Sequence, residues 1–177
     1  DVVRDLCAAT SCPVFYQLAQ DSAENMRAAA TKLLNHGWPN LGIKVPLTRE
    51  GCEVLHWLRE QEIVLRLATA VTATVPLLLA TALEVPWVTP SGSALEKVGG
   101  PSKLNLLTEM QAVLDRQQST TRLIPSFSSP TEMQALAAVG LRSGFIWDRD
   151  VDRFVNHDLV TQTVASTSGS STLTVAD

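Results

Sequence analysis

The stretch "LGIKVPLTREG", Leu41 to Gly51, decides how the chain is read. Its first seven residues have the apolar, β-branched character of a strand, and "TREG" then opens a helical pattern. A lysine stands inside the apolar run, between Ile43 and Val45, with Pro46 behind it. Side chains alternate along a strand, so Ile43, Val45 and Leu47 share one face and Lys44 and Pro46 the other. The β-branched face suits packing against helices, which turns Lys44 to the opposite side.

Outward from this segment the chain alternates. "PVFYQLA" (Pro13 to Ala19) reads as a strand, and "SAENMRAAATKLLNHG" as a helix capped by Ser22 and closed by Gly37 at C′. Thr48 caps the helix Thr48 to Glu62. "IVLRLATAV" (Ile63 to Val71) is a strand, followed by the hydrophobic helix "TVPLLLATALE" and the short strand Pro86 to Ser91. Beyond a glycine- and serine-rich loop come an amphipathic helix, Lys103 to Gln118, and the strand "TRLIPSFS", Thr121 to Ser128. Ser129 and Pro130 start a helix that ends at Gly140, consistent with proline at the first helical position. Ser143 to Asp150 is the last strand, Val151 to Val164 the last helix, and Ser166 to Asp177 a polar tail.

Six strand–helix alternations with short connections call for a parallel sheet covered by helices. An open doubly wound sheet and a (β/α) barrel compete. No glycine-rich phosphate loop follows a strand, which removes support for a dinucleotide or P-loop fold. A full barrel has eight strands and typically ~200 residues or more. On a barrel reading, residues 1–165 form a single domain equivalent to strands three to eight, with the tail 166–177 outside it.

Composition bounds the function. The chain has 177 residues, 45% hydrophobic and 18% charged, with a net charge of −4. That is ordinary globular composition with no basic footprint for nucleic acid. The apolar stretch from Thr69 to Leu83 is too short and mixed for a membrane span. The three cysteines (Cys7, Cys12, Cys52) and three histidines (His36, His56, His157) form no metal-binding pattern, so no metal and no cofactor are expected. Reduced thiols point to a cytoplasmic location. The chain begins at Asp1 rather than methionine, and we expect residues to precede it in the full gene product.

In a barrel, an inward lysine near the C-terminal end of a strand occupies the catalytic position. Burial lowers a lysine pKa, and a neutral amine attacks a ketone or aldehyde to form a Schiff base. The bland alternative is a lysine whose head reaches solvent at the strand end. Gln17, Thr69 and Ser126 each stand toward the C-terminal end of their own strand. Singly such groups cap backbone; together they ring the lysine with short polar side chains.

"IKVPLTREG" resembles the segment around the Schiff-base lysine of the transaldolase family, especially its small fructose-6-phosphate aldolase branch. In order, "FYQLA" resembles the strand with a water-holding glutamine, "TAV" at Thr69 the strand with a catalytic threonine, "PWVTP" the next strand, and "IPSFSSPTEM" the serine-bearing strand and helix. The similarity spans roughly Val14 to Leu159. It implies an (α/β)8 TIM barrel of transaldolase type and class I aldolase chemistry on a hydroxyketone or sugar phosphate. Lys44 is the implied imine-forming lysine, Gln17 and Thr69 position the water that moves protons, and Ser126 binds the substrate's hydroxyl or phosphate end. The resemblance also implies a homo-oligomer of five or ten subunits, with the last helix reaching over a neighbour.

The departures are specific. The family's first strand, with an aspartate, and its second, with an Asn-Pro motif, have no counterpart. Asp1 aligns with the helix after the second strand. The family's proton-transfer tyrosine and phosphate-binding arginine fall at Ser91 and Ala94, and the basic residue two after the "ASF" serine falls at Ser128. Ser91 and Ser128 are therefore substrate-binding candidates without those chemistries. Arg66, Lys97, Lys103 or the backbone of the loop 92–102 remain as replacements for the phosphate anchor. Two other readings stand: a catalytically degenerate barrel kept for binding or assembly, and an unrelated open-sheet binding protein. The four tryptophans read as packing residues, with Trp147 expected nearest the barrel interior, and Asp148–Arg149–Asp150 reads as a solvated strand end.

Overall fold

The computed structural model describes residues 2–91, 97 and 99–157. They form two compact units, divided between Pro125 and Ser126. The first holds the helices α1 (Val2–Ala9), α2 (Ala23–Leu34), α3 (Arg49–Glu60), α4 (Thr74–Ala82) and α5 (Lys103–Arg116). Its strands are β1 (Val14–Gln17), β2 (Leu41–Pro46), β3 (Arg66–Val71), β4 (Trp87–Pro90) and β5 (Arg122–Leu123), all parallel and in the order β1-β2-β3-β4-β5. The second unit pairs β6 (Ser126–Phe127) with β7 (Phe145–Ile146), again in parallel, and carries α6 (Pro130–Ala138) and α7 (Val151–Val155).

The expected alternation is present, and the succession of parallel βα units is that of a (β/α) barrel. Local chemistry sets the boundaries. Ser22, Thr48 and Ser129 cap their helices as expected, each side-chain oxygen accepting a backbone N–H three residues on. Gly37 takes the left-handed conformation, at φ 69°, but two residues past the Asn35 C-cap rather than at C′. The strand read as Thr121 to Ser128 is broken in two, because Pro125 has no N–H to give a ladder. The strand read as Ser143 to Asp150 shrinks to two residues and runs into a 3₁₀ turn at Asp148–Asp150. The last helix is described only to Val155, and positions 158–164 and the tail lie outside the described residues.

One helix carried no strand–helix signal of its own. α1 precedes β1 and is tied down by Asn40, whose side-chain amide donates to the Cys7, Thr10 and Cys12 carbonyls at 3.1, 2.7 and 3.2 Å. Those carbonyls belong to the end of the helix and the turn after it, where acceptors otherwise go unpaired.

The core of the first unit is the seam between sheet and helices. Ile43 and Val45 of β2 are fully buried, as are Val54, Leu55 and Leu58 of α3. The connection between these elements is tight. Thr48 N–H donates to the Pro46 carbonyl at 2.9 Å, and Thr48 Oγ1 accepts from Gly51 N–H at 3.1 Å. A Cβ at Gly51 would collide with the Pro46 carbonyl oxygen, so α3 can close onto the end of β2 only with glycine there. Because a backbone atom cannot move aside cheaply, Gly51→Ala is expected to cost about 1–3 kcal/mol. A chemical denaturation midpoint lowered at unchanged slope checks this.

Candidate functional site

The parallel ladder places the candidate residues side by side. Gln17 is the register partner of Lys44, Lys44 of Leu67, Leu67 of Trp87 and Trp87 of Arg122. Partners in a parallel ladder project to the same face, so this row shares one side of the sheet. Thr69, two residues beyond Leu67 and opposite Pro46, stands on that side one step nearer the strand ends. The helix-facing side belongs to Ile43 and Val45, as the pleat requires.

Phe15 and Trp87 show that the Lys44 side is concave. Their strands are three steps apart, about 14 Å along the sheet. Yet the rings meet edge to face with centroids 5.6 Å apart. Only a sheet bent toward them allows this, and the bend has the sense of a barrel wall with Lys44 inside. Gly42 makes room for the contact. A Cβ there would lie 2.5 Å from Phe15 Cε1 and 3.0 Å from Leu65 Cβ. Phe15 therefore lies across β2 on the floor beneath Lys44.

Lys44 itself is half-buried, and burial pushes its pKa below the ordinary lysine value. Desolvation is the cause, with no charged group among the described residues contributing. Above Lys44 the backbone is irregular. β3 and β4 lose register between Ala68 and Val71, and Ala70 takes a left-handed φ of 63°. A non-glycine residue there costs about 1–2 kcal/mol, and such bulges gather at barrel rims where they re-aim side chains. This one directly follows Thr69, whose carbonyl accepts Leu47 N–H at 2.9 Å.

The remaining candidates divide. Ser91 follows β4 and donates its N–H to the Val71 carbonyl at 2.9 Å. Ser126 and Ser128 lie in the second unit. Ser128 is engaged in capping: its N–H and Oγ both donate to Glu132 Oε2, at 2.6 and 2.7 Å. Position 94 lies outside the described residues. Arg66 does not replace an anion anchor beside Lys44. It partners Ile43 in register, hence faces the helices, and its Nη2 donates to the Glu84 carbonyl at 3.0 Å. Its Nε and Nη1 are buried without a partner, and burial, then Arg59, lowers its pKa. Lys97 is exposed, and Lys103 is buried at the start of α5.

Trp147 is half-exposed and packs against Phe145 and the Arg149 guanidinium, and Trp87 lies on the lysine's face. Phe15, Gly42 and Thr89 were missed as members of this face. Strand alternation from Gln17, Lys44 and Trp87 could have placed all three.

Cys7, Cys12 and Cys52 are free thiols. Burial, then Glu50 and Glu53, raises the Cys52 pKa, which disfavours a nucleophilic thiolate. Among the described residues no His, Cys, Asp or Glu cluster could hold a metal, and no helix is long and apolar enough to cross a membrane.

Known proteins resemble the chain in both sequence and fold. It is 30% identical over 142 residues to a probable transaldolase of Rhodospirillum centenum, covering 79% of this chain and 60% of that protein. A probable transaldolase of Methanococcus vannielii is 25% identical over 159 residues, 90% of this chain and 73% of that protein. One from Bartonella bacilliformis is 27% identical over 144 residues, 79% of this chain and 64% of that protein. The chain thus spans about three-fifths of the length of the first of these relatives. No protein-family profile matches it.

Solved structures share the fold. A 3-keto-L-gulonate-6-phosphate decarboxylase of Vibrio cholerae superposes with a TM-score of 0.58 at 14% identity, over 76% of this chain and 62% of that one. FabK of Thermotoga maritima gives 0.58 at 14%, over 84% and 45%. A 4-hydroxy-2-oxoglutarate aldolase gives 0.54 at 19%, over 89% and 68%. The fold is the parallel (β/α) barrel type, present here in part, and the sequence is transaldolase-like.

A lysine that loses hydration on folding weakens the fold while it is charged. The penalty is full below its folded pKa and vanishes above the unfolded one. Lys44→Met is therefore expected to be more stable than the unsubstituted chain at pH 7. That advantage should shrink as pH rises from the lowered Lys44 pKa toward the ordinary lysine value. Denaturation midpoints of the two proteins across that range check the sign.

Proposed function

We propose that this chain carries the Schiff-base centre of a class I aldolase or transaldolase, close to the fructose-6-phosphate aldolase branch. The observation that carries the reading is Lys44 on the concave face of a curved parallel sheet, desolvated, between Gln17 and the strand of Thr69. The sequence similarity to probable transaldolases supports it.

In this mechanism the neutral Lys44 amine attacks the carbonyl carbon of a hydroxyketone or sugar phosphate. The N–C bond forms, and the carbonyl oxygen leaves as water after taking two protons. The resulting iminium accepts the electron pair of the breaking carbon–carbon bond, and the aldehyde half departs. Gln17 and Thr69 hold the water that carries protons to and from the intermediate. Ser91 offers its hydroxyl to the donor, and Ser126 is kept as a substrate-binding residue on the resemblance alone. Ser128 stays a substrate-binding residue on the resemblance alone, since its N–H and hydroxyl are both given to Glu132. Under this reading residues 1–165 belong to one barrel domain of a cytoplasmic homo-oligomer.

A second reading has one observation in its favour. Ser91 stands where the resembled branch has its proton-transfer tyrosine, so the barrel serves as a binding or assembly module with Lys44 as a remnant.

Imine trapping separates the two. The protein is incubated with dihydroxyacetone or fructose 6-phosphate, reduced with borohydride, and mapped by peptide mass spectrometry. The enzyme reading expects a stable adduct on Lys44 and none in Lys44→Ala. Absence of an adduct from the folded, unsubstituted protein favours the binding module.

A further inference from the structure

We propose that Phe15 and Trp87, meeting across the glycine gap at Gly42, form a floor that keeps water from the underside of Lys44 and so holds its amine in the reactive neutral form. The two are positioning residues, acting on the reaction through the lysine. The inference deepens the Schiff-base reading and depends on it for its catalytic consequence, but not for its effect on the amine.

Three observations converge on it. The first is place. Phe15 precedes Gln17 by two residues, Gly42 precedes Lys44 by two, and Trp87 stands in the Lys44 row beyond Leu67. All therefore share the lysine's face. Phe15 stands one same-face position N-terminal of the Lys44 row and Trp87 stands level with it, whereas substrate enters a barrel at the C-terminal strand ends. The second is fit. The edge-to-face contact, with centroids at 5.6 Å and planes at 72°, needs an empty position at Gly42, because any Cβ there would strike the Phe15 ring. The pair is thus built by three strands together.

The third is charge. On the same face β1 presents Phe15 and Gln17, β3 presents Leu67 and Thr69, and β4 presents Trp87 and Thr89. None of these side chains titrates. Arg122 of β5, in the same row beyond Trp87, is a cation on this face; it is exposed to solvent and three strands away from Lys44, and no carboxylate stands on the face among the described residues, so the protonation of Lys44 follows how much water reaches it. Removing an apolar wall rehydrates the ammonium and raises its pKa; each unit of rise leaves about tenfold less neutral amine at pH 7.

Competitive acetic anhydride labelling across pH, read at Lys44 by peptide mass spectrometry, reports the amine without any ketone. The comparison set is the unsubstituted protein, Phe15→Ala, Trp87→Ala and Trp87→Phe, each checked for folding by circular dichroism. The labelling midpoint should rise toward the ordinary lysine range in both alanine variants and return close to the unsubstituted value in Trp87→Phe. Dihydroxyacetone trapping at pH 7 should fall about tenfold for each unit of rise. If Phe15→Ala does not fold, Phe15→Leu gives the same comparison, with a smaller rise expected. An unchanged midpoint in folded Phe15→Ala and Trp87→Ala overturns the floor, whatever the trapping shows. A raised midpoint in the variants, with no ketone adduct on the unsubstituted protein, sustains the floor and instead removes the aldolase reading.

Discussion

The pleat of β2 is the constraint on which the site depends. Six residues must bury a helix-facing side and still present an amine on the other. Ile43 and Val45 meet the first demand with no exposed surface. The second requires the alternate positions to be small or rigid around the lysine, and they are Gly42 and Pro46. A one-residue slip would put Lys44 into the seam with α3 and an isoleucine on the concave face. Hydrogen bonds on both sides prevent the slip: Leu18 N–H donates to the Lys44 carbonyl at 2.9 Å, and Ile43 N–H to the Leu65 carbonyl at 2.9 Å. Gly51 then fixes the end of the strand by letting α3 turn back directly over it.

What was legible in the sequence was whatever a local pattern encodes. Parallel pairing, the helix caps at Ser22, Thr48 and Ser129, and the direction of Lys44 all follow from alternation and capping chemistry. What was not legible depends on distant partners. Gly42 looks like any glycine in a strand until Phe15, from another strand, is seen to need its missing Cβ. The bulge at Ala70 has no marker, because the left-handed position is filled by alanine rather than glycine. Trp87 and Trp147 could not be ranked, since nothing local distinguishes a ring facing a concave sheet from one resting on its own turn.

The polar candidates divide along the same line. Gln17 and Thr69 fall where alternation puts them, because the ladder through β1, β2 and β3 is regular up to the bulge. Ser128 looked free only because a serine before a helix cap carries two readings. The carboxylate of Glu132 chooses between them by taking both the N–H and the hydroxyl. That arrangement neutralises donors at the start of α6 which would otherwise point toward an anion. Anion recognition in this region would have to rely on groups other than the Ser128 hydroxyl.

The electrostatics of the lysine complete the argument. A lysine amine can be made neutral by nearby positive charge or by dryness. A neighbouring cation acts over several ångströms and tolerates loose packing. Dryness does not, since one water path to the ammonium restores hydration. Burial lowers the Lys44 pKa, and an amine that must also meet a substrate needs packing below it and an opening above. An aromatic pair wedged over a glycine gives that asymmetry, because two rigid rings fill the floor with few rotamers to open. On the proposed reading, the chain exchanges some stability, in a desolvated ammonium, for an amine whose reactivity is set by packing.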